Sequence, residues 1–166
     1  QVHVRGDHVV DRIAAQAECR QGCQQSRHRV VGPCVDEGGA PTLDQHGSLV
    51  REAAAGHPVE VVTTVLAAHA LPPGTSARDY LEQVAWPVTE QARRDQLAEF
   101  ADAFVEPDLF PVDVVEPYLR RAAEIGLGIR LHADQLTHSG GAALAARLRA
   151  ASADHLERMS PEDASA

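Results

Sequence analysis

Ile129-Arg130-Leu131-His132-Ala133-Asp134-Gln135 reads as a short apolar strand that delivers an imidazole, a carboxylate and an amide where it ends. Barrel enzymes present their chemistry at the C-terminal ends of parallel strands in this way. Two other segments share the design. Val61-Val62-Thr63-Thr64-Val65 leads into Ala67-Ala68-His69-Ala70, and Ser152-Ala153-Asp154-His155-Leu156 ends in a histidine again. A lone histidine on a strand is most often a satisfied core or loop residue. Three at successive strand ends point to a shared rim.

The residues between these segments alternate in type. Val59 to Leu66 is a β-branched run suited to a strand buried on both faces, and Leu71-Pro72-Pro73-Gly74 breaks it. Ser76 or Thr75 can cap a helix through Asp79, Tyr80, Leu81 and Val84, with Pro87 kinking or restarting it before Gln91 to Leu97. Phe100 to Glu106 is a second strand ending in an acid. Pro111 opens a helix whose apolar side takes Val114, Val115, Tyr118, Leu119 and Ala122, and Gly126 stops it. Ile129 to Ala133 is the third strand, Ala142 to Ala150 a helix, and Ala151 to His155 a short fourth strand. Ser160-Pro161-Glu162-Asp163 then starts a helix that is capped and abandoned three residues before the last, which reads as truncation.

Strand and helix in alternation imply an α/β fold with a parallel sheet and right-handed crossovers. About four βα units make half of a (β/α)₈ TIM-type barrel, which needs roughly 250 residues. An open doubly wound sheet is the alternative, but no Gly-rich phosphate loop follows any strand.

Composition narrows the partners. The chain has 166 residues, 44% hydrophobic and 23% charged, enough for a soluble domain with a core. Its formal charge of −9 disfavours nucleic acid and anionic membrane surfaces and favours a small-molecule partner. No apolar run is long enough to span a bilayer and no signal pattern opens the chain, so a cytoplasmic location is expected.

Residues 1–50 differ in texture from residues 51–166. They hold Cys19, Cys23 and Cys34 and most of the glutamines, and no window keeps a helical or strand period for long. Cys19, Cys23, His28 and Cys34 loosely follow the order of a zinc knuckle, without the glycines or aromatics of its tight turns, so incidental thiols are the better reading. The expectation is an irregular, disordered or frame-shifted segment, since every basic residue is Arg and none is Lys, as GC-rich coding produces.

Taken together, the strand ends would gather His69, Glu106, His132, Asp134, Gln135 and His155. A neutral imidazole suits a divalent zinc or iron and needs an acceptor on its other nitrogen, for which Asp134, Asp154 or Glu106 could serve. A metal with an open position implies hydrolysis.

The run Val59-Glu60-Val61-Val62-Thr63-Thr64, with Ala68-His69-Ala70-Leu71-Pro72-Pro73, Leu131-His132-Ala133-Asp134-Gln135-Leu136, Gly140-Gly141-Ala142 and Ser152-Ala153-Asp154-His155-Leu156, closely resembles the middle of the imidazolonepropionases. That family belongs to the metal-dependent amidohydrolase superfamily, and the resemblance covers about residues 52–163. It implies that residues 51–166 form a partial amidohydrolase barrel. It also implies hydrolysis of 4-imidazolone-5-propanoate to N-formimidoyl-L-glutamate in histidine degradation, with one divalent metal, zinc or iron. His132 matches a metal ligand, His69 and Gln135 match substrate-binding positions, and His155 matches a catalytic histidine near the reacting water.

Departures from the family pattern are equally plain. Its His-x-His pair on the first barrel strand is missing here, as are the upstream Arg and Tyr that bind the substrate carboxylate and the late metal-binding Asp. The chain alone is therefore expected to be inactive, and its open edges to favour aggregation, swapping or a homo-oligomer. Another cyclic-amide hydrolase of the superfamily and a non-catalytic remnant or binding module are the alternatives.

Overall fold

The computed structural model describes the backbone of Val2–Val4, and residues 55, 58 and 60–165 in full. The expectations for Cys19, Cys23, His28 and Cys34, and for nearly all of the first fifty residues, lie outside the described residues. Val2–Val4 forms a strand, β1, where the sequence pattern offered none.

Strands β2 (Val61–Ala68), β3 (Phe100–Val105), β4 (Gly128–Ala133) and β5 (Ser152–His155) follow the expected segments within two residues at either end. They pair in parallel and in chain order, and β1 lies antiparallel against β2. Sequential order matters, because a doubly wound sheet reverses its order midway and places helices on both faces. Here α1 (Ala77–Tyr80) continues through a π turn (Leu81–Ala85) into α2 (Trp86–Arg94), followed by α3 (Val112–Glu124) and α4 (Gly141–Leu148). Helix α3 touches both α2 and α4, so the helices lie side by side on one face of the sheet.

Local chemistry explains these boundaries. The Ser76 hydroxyl accepts from the Asp79 N–H and caps α1. Pro87 restarts the helix as expected, but through a π turn and not a break. A proline ring clashes with the carbonyl four residues back, and one wider turn relieves that contact. Pro111 occupies the N-cap position of α3, and Gly126 ends its exit turn at φ +87°. The apolar side of α3 buries Val115, Tyr118, Leu119 and Ala122, whereas Val114 is only partly covered. A buried bond of 2.7 Å between Thr89 Oγ1 and the Tyr118 hydroxyl ties α2 to α3, and burial lifts the Tyr118 pKa to about 12.

The two sheet faces divide the labour. Ile129, Leu131 and Ala133 of β4 join Ala101, Ala103 and Val105 of β3 in the core under the helices. Between them Arg130 and His132 point the other way, as period-two alternation requires, alongside their β3 neighbours Asp102 and Phe104. Gly141 lets α4 approach β4 closely, since a Cβ there would lie 2.6 Å from the Ala133 Cβ. Among the described residues no helix is long and apolar enough to cross a membrane.

Candidate functional site

Three histidines reach the same rim by three different backbone devices. His132 arrives by simple alternation on β4. His69 is four positions after Val65, so an unbroken strand would send both to the helix-covered face. Between Val65, opposite Ala101, and Ala68, opposite Ala103, β2 carries one residue more than β3. That bulge reverses the parity and puts His69 beside Phe104, with ring centroids 6.3 Å apart. His155 is opposite Ala133, whose side chain is in the core. A left-handed φ of 77° at His155 turns its ring back to the rim, and Leu156 continues the turn at 66°. Such values are uncommon outside glycine and are retained where surrounding structure enforces them. The Leu156 N–H to Ala133 carbonyl and the Arg158 N–H to Asp134 carbonyl bonds, 3.0 and 2.7 Å, supply that enforcement.

The resulting cluster is tight. His69 and His132 stand edge to face with centroids 4.8 Å apart, and His132 and His155 are 5.3 Å apart. Between His69 and His132 lies a mid-strand acid that strand-end position does not pick out. Asp102 Oδ1 lies 3.1 Å from His69 Nε2 and 3.0 Å from His132 Nδ1. Burial pushes the Asp102 carboxyl up, but the hydrogen bonds from His132 and His69, with their charge, outweigh it and hold the group below the usual carboxylate range. The same bond raises His132, helped by the charge of Asp154. Side-chain exposure rises from 4% at Asp102 through 12% at His69 and 20% at His132 to 32% at His155, so the site opens toward β5. His155 Nδ1 faces Glu157 at 3.6 Å.

Asp102 could be recognised from its setting, since it is an acid inside an otherwise apolar strand, Phe100-Ala101-Asp102-Ala103-Phe104-Val105. A buried carboxylate needs partners.

Glu106 and Asp134 do not join the cluster as the sequence reading expected. Glu106 Oε1 accepts the Gln135 and Leu136 N–H groups at 3.2 and 2.9 Å, and its Oε2 accepts the Thr137 hydroxyl at 2.6 Å. It holds the turn that carries Gln135, which is half-buried. Asp134 is fully buried. It accepts from the N–H groups of Ser139, Gly140 and Ala142 at 2.6, 3.0 and 2.8 Å and so caps the start of α4 from outside the helix. The acceptor for His132 is therefore Asp102, neither of these acids. Asp154 is exposed and contributes its charge.

A group of donors suited to a metal is present among the described residues. His69, Asp102 and His132 each offer one ligand atom, all within 4.8 Å of one another. Imidazole nitrogen and carboxylate oxygen are donors that zinc and iron accept. By type these donors fit a divalent ion, and an ion held by all three would displace the two hydrogen bonds that Asp102 Oδ1 makes.

Outside the rim, Ser160 and Asp163 cap each other reciprocally, as their sequence predicts, and the chain enters a 3₁₀ turn, Asp163–Ser165. His138, on the turn after β4, bonds Asp163 Oδ2 at 2.6 Å. That bond raises His138 and lowers Asp163. A raised histidine stabilises fully below its unfolded value of 6.5 and loses the effect as pH climbs through the folded value. A lowered aspartate stabilises fully above 3.8 and loses the effect as pH falls through its folded value. The contact should thus hold fully between pH 3.8 and 6.5 and open on either side. An NMR titration following the His138 ring and the Ala164 and Ser165 amides checks this; amides that ignore the His138 titration would contradict it.

No protein-family model matches the chain. The imidazolonepropionase of Halobacterium salinarum strain R1 is 46% identical over 119 residues, 70% of this chain and 28% of that protein. That of Bdellovibrio bacteriovorus is 43% identical over 106 residues, covering 63% and 25%. The imidazolonepropionase of Bacillus velezensis FZB42 is 43% identical over 107 residues with the same coverage. Over nearly two thirds or more of its own length, this chain is therefore related to a segment of the imidazolonepropionases, and it spans about a quarter of the length of those relatives.

Proposed function

We propose that residues 51–166 are part of a (β/α)₈ barrel and contribute the rim on which a cytoplasmic imidazolonepropionase opens its substrate ring. The reaction is hydrolysis of 4-imidazolone-5-propanoate to N-formimidoyl-L-glutamate, a step of histidine degradation. The convergence of His69, His132 and His155, with successive centroids 4.8 and 5.3 Å apart, is the observation that carries this reading. Sequential strand order with helices on one face supports the barrel.

In this reading His132 is a metal-binding imidazole for zinc or iron. A bound ion would supply Lewis-acid polarisation of the ring carbonyl and a water of lowered pKa. His69 and Gln135 bind the imidazolone; the Gln135 amide suits a ring that offers both N–H and carbonyl, because it both donates and accepts. His155 is the proton-transfer group. Its Nδ1 faces Glu157, which leaves Nε2 for the reaction. A small molecule is the partner, and the charge of −9 argues against nucleic acid or an anionic membrane.

The 166-residue chain by itself should turn nothing over, because one family metal ligand cannot fix an ion in catalytic geometry. Two measurements test the reading. Loss of the imidazolone chromophore should be absent with the isolated chain, and turnover with stoichiometric metal would overturn that expectation. Replacing the matched segment of the Halobacterium salinarum enzyme with this chain's residues should give an active chimera. A folded, metal-loaded chimera without turnover would sink the functional assignment.

A further inference from the structure

We propose that Asp102 is a positioning residue, a single carboxylate oxygen that fixes His69 and His132 in opposite ring tautomers. An ionised carboxylate accepts hydrogen bonds and donates none. Oδ1 lies 3.1 Å from His69 Nε2 and 3.0 Å from His132 Nδ1, so both of those nitrogens must carry the proton. In the neutral rings the unprotonated nitrogens are then Nδ1 of His69 and Nε2 of His132. The two histidines present different atoms to the rim although they share one acceptor.

The assignment deepens the imidazolonepropionase reading and rests on it for the roles of the two rings. A metal-ligating histidine usually donates its second N–H to a carboxylate, which sets its tautomer and raises its basicity. Asp102 stands where that acceptor is needed, on β3, and is itself nearly inaccessible at 3% exposure. Phe104 is stacked near His69, with ring centroids 6.3 Å apart, so that ring has an aromatic neighbour as well as its bond to Asp102. An acid buried on this face without the two imidazoles would be costly, and an imidazole without the acid would be free to choose its tautomer.

Nitrogen-15 NMR of the full chain labelled at histidine reads the tautomers directly. The expected spectrum shows His132 protonated at Nδ1 and His69 at Nε2. In Asp102→Ala, His132 should lose this preference and the two rings should resemble each other, while the backbone spectrum stays dispersed. His132 protonated at Nε2 in the unsubstituted chain, or tautomers unchanged in Asp102→Ala, would overturn the proposal.

Should Asp102→Ala not fold, the unsubstituted chain decides through added Zn²⁺ alone. The Nδ1–H signal of His132 should persist at Zn²⁺ concentrations that shift its Nε2 signal. Its disappearance would mean that the ion takes the place of the hydrogen bonds and that Asp102 is a ligand, which also refutes the proposal. Turnover by the chimera tests the enzymatic reading separately, and either result can fail without the other.

Discussion

Asp134→Ala is expected to remove about 3 kcal/mol of stability, combining a lost helix cap of about 1–2 kcal/mol with a buried donor left bare at about 1–3 kcal/mol. The carboxylate is fully buried and receives the N–H groups of Ser139, Gly140 and Ala142 as well as the Ser139 hydroxyl. Helix α4 begins at Gly141 directly against β4, so water has little access to replace the lost acceptor at Ala142. Asp134 also sits at φ 50°, which Asp and Asn tolerate better than Ala. Asp134→Asn should therefore recover part of the loss by keeping one acceptor oxygen and the backbone preference. Urea unfolding followed by circular dichroism measures both variants. A loss below about 1 kcal/mol for Asp134→Ala would show that the start of α4 is held by something else.

His155→Ala, made in the active chimera, should lower kcat by about 10²–10⁴-fold, the usual contribution of a positioned acid or base. KM should change far less, because a group that acts in the transition state contributes little to ground-state binding. The ring is the most exposed of the three and lies 5.3 Å from His132, as a group serving water at the open side would. His155→Gln should not rescue the rate, since an amide can hydrogen-bond but cannot carry the proton. A kcat within tenfold of the parent chimera, with the metal still bound, would remove His155 from the chemistry.

Much of the fold could be read from the chain because its signals are local. The β-branched run Val61-Val62-Thr63-Thr64-Val65, the Ser76 cap, Pro111 and Gly126 each act within a few residues. The π turn before Pro87 was beyond such reading, since a proline allows a break, a kink or a widened turn, and packing chooses among them. At the site, His132 was legible because alternation alone places it. His69 and His155 were reached through a motif, yet regular strand parity would have hidden both behind the sheet. The acids at strand ends, Glu106 and Asp134, looked like chemical groups and turned out to hold backbone. Asp102 lies mid-strand, away from the strand ends where barrel enzymes present their chemistry. What separates these acids is the identity of their donors, which depends on contacts more than 25 residues away for Glu106 and Asp102.

The extra residue in β2 makes the location of one imidazole a matter of counting. Replacing the side chain of Leu66 or Ala67 leaves the count intact whatever it does to the packing, so a scan by substitution would not touch this device. Shortening the strand by one position there would carry His69 to the far side of the sheet with its chemistry unaltered. Insertions and deletions are thus the changes by which such a strand gains or gives up a reactive group, and two relatives with the same residues could differ in their sites through length alone.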